Sequence, residues 1–486
     1  MIRPTIEEAR ELCKHNTIIP ISIELFSDMK TPIEVLKCLK EKSDKCYLLE
    51  SVEGGEKWGR YSFLGYNPKL TVKCTDGKVE IMDGVLKSLE TNPKELLRRI
   101  LSEYKSPKLD FLPPFTGGFV GYISYDFIKY SEKSLKLDNI NSGDFEDLNL
   151  MLFDKIIAFD HLRQKIIIIV NIQTDNFESN YINAVVALKE IENMIKSEKT
   201  VAKYNSNLLS DFTPMFSKDE YCNMVEKVKR HIFEGDIFQA VISNQMEAQF
   251  EGDLISTYRA LRTINPSPYM FYMSLGDTQI AGASPETLLS LKNNKLSTFP
   301  IAGTCSRGKS EEEDEMLISE LFKNEKELSE HNMLVDLGRN DLGKISEFGS
   351  VKVEDYQKIL KFSHVSHIAS TVTGTLKQGL DQFDAISAVL PAGTLSGAPK
   401  IRACEIINEL EGHKRGIYGG AIGYIDFAGN MDMCIAIRMA VSKNKKIYVQ
   451  AGAGIVADSV PENEYNECIS KSKAMIKAIE FSREVE

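Results

Sequence analysis

Strand-like runs are frequent in the first third of the chain, and in one of them apolar and polar residues alternate. Alternation with a period of two indicates a strand with one buried face. Asp-Gly pairs at 76–77 and 83–84 interrupt one run, as is typical of hairpin turns. The alternating run covers 70–85, and strands are also predicted over 17–25, 46–51, 117–122, 148–159 and 165–170. The helices predicted in the same part cover 6–14, a segment opened by Thr31 and Pro32, 93–104 and 180–199.

The polar stretch 200–214 predicts a boundary between an N-terminal region, 1–205, and a C-terminal region, 206–486. A helix up to Glu234 begins after Ser217, which has Glu220 three residues later in a capping box. Beyond it, strands and helices follow one another without a regular βαβ rhythm, which favours an α+β fold with large antiparallel or mixed sheets. The predicted elements cover 239–246, 256–262, 269–275, 279–283, 311–336, 403–411, 420–425, 434–442, 447–451 and 461–481.

Composition excludes several classes of protein. The 486 residues include 59 basic and 70 acidic side chains, a net charge of -11, so neither nucleic acid nor an anionic membrane is an expected partner. The longest aliphatic run, Ile166 to Val170, is far shorter than the roughly 20 residues of a membrane span. The charged N-terminus predicts no signal peptide. Nine cysteines without a Cys-x-x-Cys pair indicate neither a disulfide framework nor a zinc site, and predict a cytoplasmic protein.

Two pairs of glutamates have the spacing that places both carboxylates on one face of a helix. Glu327 and Glu330 form the first pair, and Glu464 and Glu467 the second. Taken alone, either pair is more typical of a solvated helix surface. Facing each other, the two pairs would form the oxygen-rich site that a hard cation such as Mg²⁺ prefers, with room for an anionic substrate.

Other segments indicate an anion site. Glycine-rich turns follow strand-like runs at 302–304, 391–400, 419–420 and 452–454 without matching a P-loop, and suggest backbone amides that line an anion pocket. Arg438 lies in an apolar run, 434–441, that is predicted as one strand, and a buried arginine needs an anionic partner. That partner is either an internal carboxylate or a substrate carboxylate. His364 and His367 are three residues apart, and in a strand they face opposite sides.

Seven motifs in order resemble the chorismate-utilising enzymes, most closely the large subunit (component I) of anthranilate synthase. The resemblance extends over roughly residues 20–480 and implies two layered, mostly antiparallel β-sheets flanked by helices, with the active site between the sheets. The motifs are Leu-Leu-Glu-Ser at 48–51, Asn-Pro-Ser-Pro-Tyr-Met at 265–270, Ser-Pro-Glu at 284–286, Pro-Ile-Ala-Gly-Thr at 300–304, Leu-Val-Asp-Leu-Gly-Arg-Asn-Asp at 334–341, and the segments 391–400 and 451–467.

The resemblance implies a role for each candidate residue. Glu330 and Glu467 match direct Mg²⁺ ligands, and Glu327 and Glu464 match ligands that act through water. Glu286 matches the general acid that helps the C4 hydroxyl of chorismate to leave. The other residues that match substrate-side positions are Tyr418 and Arg438 on the enolpyruvyl carboxylate, Gly303, Thr304, Gly452, Ala453 and Gly454 on the substrate through the backbone, and His367 and Thr394 beside the departing oxygen.

Two positions distinguish the reactions of the relatives. Relatives that use water carry a lysine base where this chain has Gln239, which favours ammonia as the nucleophile. Aminodeoxychorismate synthases carry lysine at the position of Ala302, which favours anthranilate and pyruvate as products. Aminodeoxychorismate synthase component I is the alternative. Cys305 and Ser306 replace the usual Arg-Pro, with an effect that is left open.

The resemblance also implies partners and regulation. The synthase motifs account for the whole chain, so we expect ammonia from a separate glutamine amidotransferase subunit in a hetero-oligomer, or from solution at high pH. Ser51 with Pro268, Tyr269 and Met270 matches a feedback site for L-tryptophan, the end product of the pathway that begins with anthranilate. Glu50 and Arg60 offer charges for a zwitterion. A non-catalytic, tryptophan-sensing relative is a further alternative, and the intact set of four glutamates argues against it.

Overall fold

The computed structural model describes residues 2–51, 59–137, 139, 143–197, 204–361, 365–482 and 484. All strand pairs in these ranges are antiparallel, and they form two large sheets. The strands are β1 (Ile2–Arg3), β2 (Ile18–Phe26), β3 (Lys45–Glu50), β4 (Tyr61–Tyr66), β5 (Leu70–Thr75), β6 (Lys78–Asp83), β7 (Val85–Glu90), β8 (Gly118–Ile123), β9 (Leu148–Phe153), β10 (Lys155–Asp160), β11 (Lys165–Gln173), β12 (Ser206–Leu208), β13 (Thr213–Pro214), β14 (Gln239–Gly252), β15 (Tyr269–Leu275), β16 (Thr278–Ser284), β17 (Thr287–Lys292), β18 (Lys295–Thr298), β19 (Ile301–Ser306), β20 (Lys352–Lys361), β21 (Val365–Thr375), β22 (Gly397–Ala398), β23 (Ala421–Asp426), β24 (Met431–Ile435), β25 (Met439–Lys443) and β26 (Lys446–Ile455).

The first sheet has the strand order β1-β2-β11-β10-β4-β3-β15-β16-β25-β26-β14-β12, with β13 and β22 also paired to β14. The second has the order β19-β21-β18-β17-β24-β23-β8-β9-β5-β6-β7, with β20 paired to β21. The helices are α1 (Ile6–Leu12), α2 (Pro32–Lys40), α3 (Pro93–Ser102), α4 (Phe177–Lys196), α5 (Lys218–Phe233), α6 (Ile255–Ile264), α7 (Glu311–Leu321), α8 (Glu325–Gly343), α9 (Gln382–Val389), α10 (Lys400–Glu411) and α11 (Pro461–Phe481), with 3₁₀ turns at Tyr125–Tyr130 and Gly393–Leu395.

The two sheets pack face to face, and alternate residues of each strand enter different cores. On β3, the ring of Tyr47 lies 4.8 Å from that of Phe153 in the second sheet. Its neighbour Leu48 points to the other face of the first sheet, into a core shared with α2, α4, α6 and α11. This period-two division is what a strand buried on both faces requires. The α+β class and the two layered, antiparallel sheets are therefore confirmed.

Both sheets draw strands from both sides of the predicted boundary at 205/206. In the first sheet β3 pairs with β15, and in the second β8 pairs with β23. The division into 1–205 and 206–486 remains a prediction, and residues 198–203 beside it lie outside the described ranges.

Local signals placed several elements correctly. Thr31 and Ser217 each accept a hydrogen bond from the amide three residues later and complete a capping box. The turns at 76–77 and 83–84 join β5, β6 and β7 as predicted. On β8, a Cβ on Gly121 would lie 2.1 Å from the carbonyl oxygen of Asn149, so this strand does require close backbone approach.

Three predicted elements are each two elements in the structure. The run 148–159 divides at Asp154 into β9 of the second sheet and β10 of the first. The run 434–442 divides in the same way, between β24 and β25, and 311–336 contains all of α7 and the first part of α8. Residues 52–58, between β3 and β4, lie outside the described ranges.

No helix in the described ranges is both long and apolar enough to cross a membrane.

Candidate active site

Two neighbouring chain crossings between the sheets carry the central charged side chains of the candidate site. Glu286 lies between β16 of the first sheet and β17 of the second, and Arg438 lies between β24 and β25. The crossings are hydrogen-bonded to each other, since the amide of Ala283 donates to the Arg438 carbonyl at 3.0 Å and the amide of Ile435 donates to the Glu286 carbonyl at 3.0 Å. The two side chains therefore extend from two backbone segments that are hydrogen-bonded to each other.

Arg438 adopts a left-handed backbone conformation, with φ of 52°. This conformation is unusual for a residue other than glycine, and it ends β24 and redirects the chain into β25. The prediction that Arg438 lies inside one strand over 434–441 is therefore wrong. Arg438 is half-buried, and burial lowers its pKa while Tyr418 and Glu467 raise it.

Glu286 is a carboxyl group suited to donate a proton near neutral pH. Burial raises its pKa to about 7, against the opposing effects of a hydrogen bond from Thr394 and of the Lys471 ammonium. The Thr394 hydroxyl donates to Oε1 of Glu286 at 3.1 Å. A pocket opens beside this pair and is also lined by Gly393 and Ile435. A substantial fraction of Glu286 is protonated at pH 7, as a general acid requires.

Tyr418 and the 452–454 segment lie together. The Tyr418 hydroxyl is 3.1 Å from the position that a Cβ on Gly452 would occupy, so a larger residue there would displace it. The amide of Gly419, next to Tyr418, donates to the carbonyl of Ala436 at 2.9 Å, two residues before Arg438. The Ala453 side chain packs on the opposite face, in a core with α5, α10 and α11. Only the backbone of Ala453 can therefore face the site.

Gln239 faces the same turn from β14. Its Nε2 atom lies 2.5 Å from the position of a Cβ on Gly454, and only 4% of the residue is exposed. Its Oε1 atom is buried and accepts no hydrogen bond from any of the described residues. An unpaired buried acceptor is costly, and here it leaves a hydrogen-bond acceptor available to a bound donor.

His367 lies on the other wall of the site. It pairs across β19 and β21 with Thr304, and its Nδ1 atom is 3.3 Å from the carbonyl oxygen of Gly303. Burial lowers the pKa of His367, the Gly303 carbonyl raises it, and Arg438 lowers it. The ring is therefore neutral at pH 7. His364 lies outside the described ranges.

Lys471 is a site residue that the sequence analysis did not include. Its Nζ atom lies 2.6 Å from Oε1 of Glu467 and donates to the carbonyl of Gly452 at 3.1 Å, and its own carbonyl accepts a bond from Arg438 at 3.0 Å. Lys471 follows Glu464 and Glu467 on one face of α11 at helical spacing. This helical spacing could have identified Lys471 as a site residue from the sequence, although a lysine on a helix is usually a surface residue.

The four glutamates lie on helices, as predicted, within the first two turns of α8 and α11, with Glu464 9% exposed and Glu467 exposed beside Lys471. In the part of the chain that is described, no three of their carboxylates have oxygens within 4.8 Å of one another. Like charges repel, and Lys471 supplies a counter-charge to Glu467. The donor set consists only of carboxylates, which is the chemistry that Mg²⁺ prefers, so these residues fit the ion.

The residues of the predicted tryptophan site form a separate group around the end of β3. Glu50 pairs with Met270 across β3 and β15, and continuing this register places Ser51 opposite Tyr269. Met270 is buried in the core under the helices. The Tyr269 hydroxyl instead crosses to the second sheet, 2.8 Å from the Thr287 hydroxyl and 2.9 Å from an Asp432 carboxylate oxygen.

The two charged groups considered for this second site already have ionic partners. Arg262 lies 2.7 Å from Glu50, which also accepts a bond of 2.5 Å from Tyr258. Arg60 is paired with Asp160 at 2.8 Å. A ligand ammonium at Glu50 would therefore share that carboxylate with Arg262.

Comparisons with known proteins give one consistent result. A family model described as chorismate binding enzyme matches residues 44–477. Anthranilate synthase component 1 of Acetivibrio thermocellus is 47% identical over 100% of both chains, and that of Aquifex aeolicus is 42% identical over 99% of this chain and 98% of its own. The crystal structure of anthranilate synthase component I from Streptococcus pneumoniae superposes with a TM-score of 0.76 at 37% identity, covering 93% of this chain and 98% of its own.

We expect Thr394→Val to raise the pKa of Glu286 above its value of about 7. The hydroxyl stabilises the carboxylate form, so its removal favours the protonated form. A pH titration of the protonated-carboxyl band by infrared difference spectroscopy, assigned with Glu286→Gln, measures this pKa.

The control is Thr257→Val on α6, where the buried hydroxyl bonds to none of the described residues. This variant should leave the Glu286 titration unchanged. An unchanged or lowered pKa in Thr394→Val would show that Thr394 does not tune the acid.

Proposed function

Because the chain belongs to the chorismate binding enzyme family, among the anthranilate synthase component 1 proteins, we propose that it converts chorismate and ammonia to anthranilate and pyruvate. This reaction is the first committed step of L-tryptophan biosynthesis and makes the chain a lyase that acts in the cytoplasm. The observation that carries the proposal is the Glu286 carboxyl, with a pKa of about 7, hydrogen-bonded by Thr394.

The charges of the site suit the two carboxylates of chorismate. Arg438 and Tyr418 are placed to hold the enolpyruvyl carboxylate, because a partly buried guanidinium gains most from an anionic partner. The backbone at Gly303 and Gly452 holds the substrate from the other side. Orientation by several fixed groups replaces a bimolecular encounter by a nearly unimolecular one, which lowers the barrier.

The first chemical step is the replacement of the C4 hydroxyl by nitrogen at C2. Ammonia forms the new C2–N bond, the ring double bonds shift, and the C4–O bond breaks. Hydroxide is a poor leaving group, so Glu286 transfers a proton to that oxygen and water departs, a contribution of roughly 10²–10⁴-fold in rate. His367 and Thr394 lie beside this oxygen. In the second step, loss of the C2 proton and cleavage of the C3–O bond release pyruvate and leave the aromatic ring of anthranilate.

The proposed cofactor is Mg²⁺, with Glu330 and Glu467 as direct ligands and Glu327 and Glu464 acting through water. When bound, the ion neutralises and orients the ring carboxylate of chorismate. The four glutamates would supply the carboxylate oxygens that bind the ion. Lys471, now 2.6 Å from Glu467, would then have to share that carboxylate, which frees its ammonium for a substrate oxygen.

The proposed nucleophile is ammonia supplied by a glutamine amidotransferase subunit, component II, in a hetero-oligomer. Gln239 supports this, because an amide cannot act as the base that water would need. Its free Oε1 acceptor suits an N–H donor. Ala302, in place of lysine, supports anthranilate as the product.

The proposed inhibitor is L-tryptophan, bound near Ser51, Pro268, Tyr269 and Met270. Tyr269 offers a physical connection to the catalytic site, since its hydroxyl is 2.8 Å from that of Thr287, the residue after Glu286. A ligand that moves the end of β15 would move this contact. Inhibition then requires only that tryptophan bind one arrangement better, a coupling of typically 1–3 kcal/mol.

The function is tested by incubating the purified chain with chorismate, ammonium at high pH and Mg²⁺. We expect anthranilate and pyruvate in equal amounts, identified by fluorescence and mass spectrometry. Accumulation of 4-amino-4-deoxychorismate would instead identify the folate-branch reaction, and the absence of any product would favour a sensing role.

We expect Glu467→Gln and Glu330→Gln each to lower turnover by about 100-fold or more, because even residues that only orient a metal ligand cost roughly 10–100-fold. Calorimetric titration of Mg²⁺ in the presence of chorismate should show the matching loss of affinity. The control is Glu462→Gln in the first turn of the same helix, where the carboxylate pairs with Lys218 at 2.8 Å. Full activity of the wild type in EDTA would contradict the role of the ion.

We expect Ser51→Phe to lose inhibition by L-tryptophan while it keeps most of the uninhibited rate, because the larger side chain fills the inhibitor site and lies away from Glu286. Initial rates are titrated with tryptophan for both proteins. Because linkage is reciprocal, chorismate should weaken tryptophan binding to the wild type by the same factor. Superimposable inhibition curves, or a wild type that ignores millimolar tryptophan, would remove the regulatory site.

A further inference from the structure

A fully buried ion pair lies behind the site and has no place in the chemistry described so far. Arg415 and Glu411 are each 1% exposed. The guanidinium of Arg415 contacts both carboxylate oxygens of Glu411, from Nε at 2.8 Å and from Nη2 at 2.6 Å. The pair is therefore bidentate, the strongest and most directional form of this interaction.

The remaining donors of Arg415 reach two separate segments of the site. Nη1 donates to the carbonyl of Leu395, the residue after Thr394, at 2.6 Å. Nη2 donates to the carbonyl of Val241 on β14 at 2.6 Å. The same two segments are joined directly, because the amide of Val241 donates to the carbonyl of Ser396 at 2.9 Å.

Glu411 completes the connection to β14. Its Oε1 atom accepts bonds from the amide of Ser243 at 2.8 Å and from the Ser243 hydroxyl at 2.9 Å. In the register of β14 with β26, Ser243 is opposite Gly452 and Val241 is opposite Gly454. The ion pair is therefore hydrogen-bonded to Val241 and Ser243, the two β14 residues that pair with the ends of the 452–454 turn.

Tyr418 is in contact with the same guanidinium. The Arg415 Cζ atom lies 5.9 Å from the centre of the Tyr418 ring and 4.6 Å from that of Tyr125. The Arg415 side chain therefore contacts the loop that carries Thr394, the strand β14 that carries Gln239, and the ring of Tyr418.

We propose that Arg415, fixed by Glu411, is a positioning residue that aligns Thr394, Tyr418 and the 452–454 turn for the reaction. Stability alone does not account for the pair, because well-packed apolar side chains often replace a buried ion pair without loss. What an apolar pair cannot provide is several directed hydrogen bonds to backbone carbonyls of different segments. This role rests on the proposed function, although the alignment itself is a property of the free protein.

Arg415→Lys distinguishes positioning from charge. Lysine keeps the positive charge but lacks the planar fork that serves Glu411, Leu395 and Val241 at once. We expect kcat with chorismate and ammonium to fall by about 10- to 100-fold, in line with the cost of small misplacements near a reacting centre. Glu411→Gln, which keeps the shape of the partner, should show a fall in the same direction.

The matched control is Asp253→Asn. Asp253 forms a buried pair with Lys40 at 2.7 Å, with side chains 9% and 11% exposed, and touches none of the candidate site residues. It should lower the melting temperature as Glu411→Gln does, but leave kcat within about two-fold of the wild type at a temperature where each protein is folded.

A double-mutant cycle with Thr394→Val tests whether Arg415 affects kcat through Thr394. If Arg415 acts through Thr394, the two losses in kcat overlap, and the double variant is clearly faster than the product of the single effects predicts. Factors that simply multiply would overturn the proposal, as would an Arg415→Lys variant with wild-type kcat. If Arg415→Lys does not fold, the same cycle is run with Glu411→Gln.

Hydrogen exchange separates this proposal from the proposed function. In Arg415→Lys and Glu411→Gln we expect faster exchange in peptides covering 239–245 and 391–398, and no such change in Asp253→Asn. If the wild type does not turn over chorismate, the proposed function fails while this comparison still decides the alignment. Equal exchange rates of these peptides in all three variants would overturn the proposed alignment.

Discussion

The site depends on two places where the chain leaves one sheet and enters the other. The core between the two packed sheets consists mainly of apolar side chains. Glu286 and Arg438 occupy such crossings, and the crossings bond to each other through backbone amides. The left-handed conformation of Arg438 is the local strain that permits one of these turns.

Charge balance governs the surroundings of these crossings. Burial favours the neutral form of Glu286 and weakens the protonation of Arg438. Lys471 offsets Glu467 on α11, and Arg415 offsets Glu411 behind the site. The two pairs differ in one respect that matters for binding. Glu411 and Arg415 are closed off from water and satisfy each other, whereas Lys471 and Glu467 face the region where an anion and a cation would add a third and fourth charge.

Sequence patterns were sufficient where the signal is local. The capping box at Ser217, the helix start at Thr31 and Pro32, the hairpins at the Asp-Gly pairs and the glutamate pairs at helical spacing depend on residues within four positions of each other. The fold class followed from the irregular order of strands and helices. The family resemblance supplied the roles of Glu286, Thr394 and Tyr418, which no spacing rule identifies.

The patterns failed where the determinant is non-local. The run 434–442 is apolar throughout, so nothing in it marks the positive φ of Arg438 or the change of sheet. The run 148–159 is similar, because both of its halves are buried, one in each sheet. Arg415 stands in a charged stretch that reads as a surface loop, and only the folded chain surrounds it with β14 and the Leu395 carbonyl.

The sharing of both sheets between the two ends of the chain has a consequence for synthesis. Strand β8 ends at Ile123, and its partner β23 begins at Ala421, about 300 residues later. At the usual ribosomal rate of about 5–20 residues per second, β8 waits roughly 15–60 s for that edge to be covered. During this interval the nascent N-terminal part presents apolar strands with unpaired backbone, the kind of surface that invites aggregation. The geometry that brings two crossings together in the finished protein therefore leaves a sheet edge of its early chain uncovered for longer than a fold with local strand pairing would.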